Sequence, residues 1–259
     1  MKKNILAAGV LLLSIAAGSC KKEAATNATG KSTSIKGIVN SVFQNLVPPD
    51  GRIAMINDGT QTRYGSYTST FSFNGRMPDN SNFSNISFNN YNVDITAQEL
   101  YASSTIDTPV LRGMKPQFFG STTSMSINGQ NVVSGFYIPK DLEVTFASAT
   151  GNNSWVFNSS AGISFSWNPD PLNANATVVV LSYTEENAAE GSQVLTKEFI
   201  YPAGTNSATI SASDLADFPT GQKIVMYIAT GNQQNFNFAG KSYELLGLNI
   251  TTLPGIMLQ

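Results

Sequence analysis

Along most of the chain, apolar residues recur at every second position in short runs, the period of strands with one buried face. Thr68 to Phe73 puts Phe71 and Phe73 on one face with Ser72 opposite, and Ile86-Ser87-Phe88 and Tyr91 to Ile95 follow. Met125-Ser126-Ile127, then Asn128-Gly129, then Asn131 to Ile138 form the strongest hairpin signal, because Asn-Gly accepts the positive φ of a type I′ turn. Leu142 to Phe146 predicts a further strand. Ile163 to Trp167 alternates without a break, placing Ile163, Phe165 and Trp167 inward and two serines outward. Thr177 to Tyr183 is continuously apolar at its centre and predicts a strand buried on both faces. Val194 to Tyr201, Ser207 to Ser211, Lys223 to Thr230 and Tyr243 to Thr251 complete the set, with a short connecting turn at Ser213 to Phe218 closed by Pro219. Helical spacing is confined to Ile35 to Leu46, where Ile35, Ile38, Val39, Val42 and Leu46 fit a helix or a strand equally. Pro48-Pro49-Asp50-Gly51 ends that segment. No repeat period is visible. The pattern predicts an all-β protein of two tandem β-sandwich domains, residues 35–139 and 140–259.

The first twenty residues follow a different rule. Lys2 and Lys3 precede an apolar run of 13 residues, Ile5 to Ala17. A spanning helix needs about 20 apolar residues, so the run reads as the core of a secretory signal peptide, residues 1–19. The sole cysteine of the chain, Cys20, stands directly after Ala17-Gly18-Ser19. This arrangement resembles the lipobox of bacterial lipoproteins, in which small residues precede a cysteine that is lipidated and becomes the first residue of the mature protein. The resemblance implies lipidation of Cys20 and a stable membrane anchor, since more than one acyl chain is attached. Lys21 follows the cysteine where inner-membrane retention uses Asp, which points to the outer membrane; the leaflet and face stay open. Residues 21–34 contain no aliphatic side chain larger than Ala and read, with Cys20, as a lipidated flexible tether, residues 20–34.

The second half carries its own resemblance. Trp167 ends one strand, Tyr183 ends the next, and Leu215 precedes the Pro219-Thr220-Gly221 turn, after which a β-branched strand begins. This order resembles a fibronectin type III module over about residues 140–255, and seven strands in such a length suit an immunoglobulin-like sandwich. The tyrosine that the family places after that turn is Ile224 here. Modules of this kind act as spacers or recognition domains, and the fold alone assigns no activity.

Composition narrows the chemistry. Of 259 residues, 26 are Asn, 29 Ser and 23 Thr, whereas only 12% are charged; average charge usage is about 25%. Such a surface suits an envelope or extracellular protein. There is no histidine, which removes Ser-His-Asp and Cys-His catalysis and His metal sites. From Lys31 onward 11 basic residues face 16 acidic ones, and Arg52, Arg63, Arg76 and Arg112 are scattered, so no nucleic-acid surface is expected. No second cysteine exists for an intramolecular disulfide.

Three loops are expected to gather at one end of the second domain: Asn168 to Ala176, Pro202 to Asn206 and Gly231 to Lys241. The last is rich in amides around two phenylalanines, and amides with aromatic faces are what a sugar or peptide site uses. Asn168, Asp170, Asn235, Phe236, Asn237 and Phe238 are therefore the candidate ligand-binding residues. Asn168, Asp170, Asn173 and Asn175 offer oxygens to Ca²⁺, but one carboxylate is a poor start and Asx residues beside proline form ordinary turns, so no metal and no cofactor are expected. Trp155, flanked by Asn152-Asn153-Ser154 and Asn158, could stack on a ligand at the surface, but burial in the core is the favoured reading. The leading reading is a non-catalytic envelope lipoprotein, a binding or adhesion module for a glycan or protein partner. One alternative is a structural or assembly subunit that uses an exposed sheet edge. The other is a hydrolase built on two carboxylates, for which Asp94, Glu99, Asp107, Glu143, Asp170 and Asp214 are available.

Overall fold

The computed structural model describes residues 26–27, 42, 50–65, 67–76, 85–93, 104–105, 118–151, 154–173, 175–184 and 195–259. The signal peptide, Cys20 and most of residues 21–49 lie outside the described residues, as do Asp94, Glu99, Asp107 and residues 185–194. In chain order the strands are β1 (Thr26–Asn27), β2 (Gly51–Gln61), β3 (Tyr67–Arg76), β4 (Ile86–Phe88), β5 (Tyr91–Val93), β6 (Ser104–Thr105), β7 (Ser121–Ile127) and β8 (Gln130–Ile138). They continue as β9 (Val144–Phe146), β10 (Trp155–Phe157), β11 (Ile163–Trp167), β12 (Thr177–Tyr183), β13 (Leu195–Tyr201), β14 (Ser207–Ile210), β15 (Lys223–Phe238) and β16 (Lys241–Leu258). One short helix, α1 (Ala212–Leu215), lies between β14 and β15. The protein is all-β.

Turn chemistry fixes the hairpins. Asn128 and Gly129 both have positive φ, 51° and 79°, as the type I′ expectation requires. Asn89-Asn90 and Ala239-Gly240 do the same between β4 and β5 and between β15 and β16.

Nine strands form one large sheet in the order β1-β13-β12-β15-β16-β2-β3-β6, with β10 beside the end of β16. Two smaller sheets, β5-β4-β7-β8 and β14-β11-β9, cover different parts of it. The β15–β16 hairpin runs through both parts. At about 3.3 Å per residue its 16- and 18-residue arms reach roughly 50 Å. Its tip residues Phe236, Tyr243 and Leu245 join Ile53, Phe73, Phe88, Met125 and Phe136 in one core under the four-stranded sheet. Its base residues Ile224, Met226, Ile228, Leu253 and Ile256 join Val144, Phe165, Trp167, Val179 and Leu181 in a second core under the three-stranded sheet. The opposite face of the large sheet is also apolar: Val42 packs there with Ile56, Val178, Val180, Leu246, Leu248 and Ile250.

The strand alternation in β11 and the two-sided burial of β12 are as the pattern predicts. Trp155 is buried at 3% exposure on β10, which runs parallel to the end of β16 and which the sequence pattern did not reveal. Gly231 to Lys241 is not a loop. Those residues are strand up to Phe238, paired residue by residue with β16, and only Ala239-Gly240 turn. Amide-rich sequence has low strand propensity, but pairing with the apolar Tyr243–Leu248 segment overrides it.

Candidate functional site

Two apolar cores meet along a polar row. Registers of the large sheet place Thr177, Thr230, Asn249 and Asn57 side by side on β12, β15, β16 and β2, since Val178 pairs with Ala229, Thr230 with Asn249, and Asn249 with Asn57. All four are at most 3% exposed. Burying polar side chains here costs free energy unless each finds a partner, and the connector Pro139–Glu143 supplies partners to half of the row. Asn57 Nδ2 donates to Asp141 Oδ1 at 3.0 Å and to Asn249 Oδ1 at 3.0 Å. Asn249 Nδ2 donates to Asp141 Oδ1 at 3.1 Å and to the Pro139 carbonyl at 3.5 Å. One position along, the Thr251 hydroxyl donates to the Leu142 carbonyl at 2.8 Å. Gln61 bonds both backbone groups of Val144, at 2.7 and 2.9 Å, as a neighbouring strand would.

The other half of the row opens into a cleft of about 140 Å³ lined by Leu142, Trp167, Asn168, Asp170, Asn173, Thr177, Gly204, Thr205 and Thr230, with Pro169 and Pro171 on one wall. Of the three loops expected to gather, Asn168–Ala176 and Pro202–Asn206 both contribute to this cleft, whereas Gly231–Lys241 is strand and hairpin turn. Trp167 N–H donates to the Asn206 carbonyl at 2.9 Å, which draws the two together. Leu172, 62% exposed, stands between the lining residues Pro171 and Asn173.

The candidate residues divide. Asn168 and Asp170 line the cleft, and both hold the connector. Asn168 Oδ1 accepts from Glu143 N–H at 2.7 Å and its Nδ2 donates to the Asp141 carbonyl at 2.8 Å. The Asp170 carboxylate accepts from the Tyr137 hydroxyl at 2.9 and 3.0 Å, from Lys140 N–H at 3.0 Å and from Leu172 N–H at 3.2 Å. Asn235, Phe236, Asn237 and Phe238 are elsewhere. Asn232 Nδ2 reaches the Leu172 carbonyl at 3.4 Å, and the Asn175 side chain reaches the Gly231 carbonyl at 2.8 Å, so the loop meets the start of this stretch. Asn235 to Phe238 continue away along the strand, roughly 10–20 Å further. Phe236 is buried and stacked on Tyr243 with ring centroids 5.3 Å apart, whereas Asn235 and Asn237 face solvent. They do not form one site with Asn168 and Asp170.

Two further lining residues stand out: Asn173, weighed in the sequence only as an oxygen for Ca²⁺, and Thr230, which the sequence did not single out. Asn173 Oδ1 and Thr230 Oγ1 are buried and have no hydrogen-bond partner among the described residues, while Asn173 Nδ2 donates to the Asn175 carbonyl at 2.8 Å. Each such orphan costs about 1–3 kcal/mol. No sequence signal marks Thr230, because its place in the row depends on strand register.

Of the other carboxylates, Asp214 accepts from the hydroxyl and backbone N–H of Ser211 and so caps α1, and Glu143 is exposed. Among the described residues, no three or more His, Cys, Asp or Glu converge on a metal position.

Tyrosines border this region. Burial, then the hydrogen bond to Asp170 and its charge, push the Tyr137 phenol well above its ordinary range. Burial and the charge of Asp141 raise Tyr67. Burial, with Asp214 adding to it, pushes Tyr201 up to about 12. A phenol whose folded pKa is raised stabilises the fold fully below the unfolded value of about 10, and that stabilisation is lost as pH rises through the folded value. Tyrosinate absorbance from these three should therefore appear only above pH ~10 and together with loss of the far-ultraviolet strand signal. Their free titration in a still-folded protein would contradict the assignment.

The chain matches no protein-family model, and no curated protein or solved structure is significantly similar to it.

Proposed function

We propose that this chain is a non-catalytic lipoprotein of the cell envelope, anchored in the outer membrane through Cys20, that binds a glycan or protein partner at the cleft between Asn168–Asn175 and Gly204–Thr205. The observation that supports the binding role is the cleft itself, a concave surface that sets Trp167, Pro169 and Pro171 beside Asn168 and Asp170. The anchor rests on Ala17-Gly18-Ser19-Cys20 after the 13-residue apolar run.

We read the scaffold as two β-sandwiches, residues 35–139 and 140–259, the second immunoglobulin-like in the manner of fibronectin type III modules. Support comes from β14-β11-β9 lying opposite β13-β12-β15-β16, a three-plus-four arrangement of seven strands. The buried Leu215 before the Pro219-Thr220-Gly221 turn fits the same reading. The connector lies between the halves, and the β15–β16 hairpin is common to both. In that topology binding loops collect at one end of the sandwich, and the Asn168–Ala176 and Pro202–Asn206 loops that contribute to the cleft would belong to that end. Assembly by strand addition is the weaker reading, because Gln61 occupies the outer edge of β9 and Gly135, at φ 69°, interrupts the edge strand β8.

The test separates anchor from body. Cys20→Ala should move the protein from the membrane to the soluble fraction, and the released body should still retain envelope glycan or protein from surface extracts. Membrane retention of the variant would refute lipid anchoring at this residue. A released, folded body that retains nothing would refute the binding role.

A further inference from the structure

We propose that the apolar back of the large sheet is the docking surface for residues 35–46 of the same chain, which lie across it as an amphipathic helix and fix where the N-terminal arm leaves the body.

The face is covered. Val178, Ala229, Leu246, Leu248 and Ile250 on it are 0–1% exposed, while the cores under both smaller sheets lie on the other face. Side chains on a bare sheet face keep contact with water, so burial this complete needs a second layer. Val42 is the one member of this cluster from outside the sheet. It is helical, 3% exposed and packed against the strands.

Attachment and length name the occupant. Asp50 N–H donates to the Ser242 carbonyl at 2.9 Å, and the Asp50 carboxylate accepts from Ser242 N–H at 2.8 Å. The chain therefore enters β2 beside the tip of the β15–β16 hairpin, at one end of the face. From there the registers order the face in rows: Leu246 with Ala54, Leu248 with Ile56, Ile250 with Ala229 and Val178, then Tyr227 with Val180. At two residues per row these span about 20 Å. A helix over residues 35–46 is about 18 Å long. Its residues Ile35, Ile38, Val39, Val42 and Leu46 fall on a single stripe, and Lys36, Asn40 and Gln44 fall on the other side.

The arm continues along the same sheet. Thr26 pairs with Glu198 and Asn27 with Lys197 at the β13 edge. Seven residues join Asn27 to Ile35, a reach of roughly 25 Å that rounds this edge from the back. One consequence rests on the reading of Cys20 as the anchor: only residues 21–25 separate the lipid from the sheet, so the β13 edge is the side held nearest the membrane.

The test uses the full mature chain with Cys20→Ala, so failure of lipid anchoring cannot affect it. Ile38→Ala, Val39→Ala, Val42→Ala and Leu46→Ala should each raise the unfolded fraction roughly tenfold or more, the effect of deleting buried methyl groups. Ser41→Ala and Gln44→Ala should change it less than about threefold. A nitroxide on Gln44→Cys, then the only thiol, should broaden the methyl signals of Leu246, Leu248 and Ile250 more than those of Ile127 and Ile163 in the smaller sheets. The label sits on the outward side of the helix, so it reads docking even where an alanine variant fails to fold. Destabilisation at Val42 alone overturns the proposal, as does equal or weaker broadening at the face. Broadening that arises only between copies, in a mixture of spin-labelled and isotope-labelled chains, assigns the face to a second copy and overturns it as well.

Discussion

Trp167→Ala should destabilise the fold by about 3–5 kcal/mol, the range for removing a large aromatic side chain from a packed core. Trp167 is 5% exposed and ends β11. Its ring lies 5.7 Å from that of Phe165 and 6.0 Å from that of Tyr201. A domain holds only about 5–15 kcal/mol in total, so the loss removes a large share. The surroundings cannot close the gap easily, because the backbone N–H of Trp167 is fixed to the Asn206 carbonyl and Asn168 is fixed to the connector. Equilibrium urea unfolding gives the value, and a change under about 1 kcal/mol would contradict the core role of the ring.

The strands that were legible in the sequence are those whose own side chains alternate. Ile163 to Trp167 and Met125 to Ile138 declare both their faces and, through Asn128-Gly129, their turn. The amide-rich stretch Gly231 to Phe238 was not legible, since its strand character comes from Tyr243 to Leu248 across the ladder and not from its own propensity. Read with period two, Gln233, Asn235 and Asn237 are simply the outer face of that strand. The core reading of Trp155 holds, but its strand was not legible, being three residues long and owing its place to the end of β16. Of the three loops expected at one end, Asn168–Ala176 and Pro202–Asn206 do line one cleft, and the third is strand. The polar row was not legible, because Asn57, Thr177, Thr230 and Asn249 are far apart in sequence and only the registers of three strand pairs align them. Asp170 and Asn168 looked like free ligands because their partners, Tyr137 and the connector backbone, are remote in the chain or on another strand.

Asn249→Leu should cost about 2–4 kcal/mol although leucine fills a similar volume, because the loss is of partners and not of packing. Asn249 is 0% exposed and holds two others in place: its Oδ1 accepts from Asn57 at 3.0 Å, and its Nδ2 donates to Asp141 at 3.1 Å. Leucine leaves the Asn57 amide with one fewer acceptor and the Asp141 carboxylate with one fewer donor, both beside an apolar methyl group. Asn57 Oδ1 is already unpartnered, so this cluster has no spare bonds to share. The connector is the element that should respond first. Pro139–Glu143 crosses between the two smaller sheets, pinned by Asn249 and Asn57 at Asp141, by Thr251 at Leu142 and by Asp170 at Lys140. Loosening the first pin exposes the Lys140–Asp141 bond to trypsin through local opening, which scales with the free energy lost. Cleavage at that bond should quicken by roughly tenfold or more in the variant under conditions where the parent is resistant. Thr251→Val, which removes the bond to the Leu142 carbonyl and the contact with the Tyr67 hydroxyl but leaves Asp141 paired, should give a smaller acceleration, on the order of a few-fold. If both variants cut at the parental rate while unfolding at lower urea, the polar row stabilises the sheet itself and the connector is held by other means.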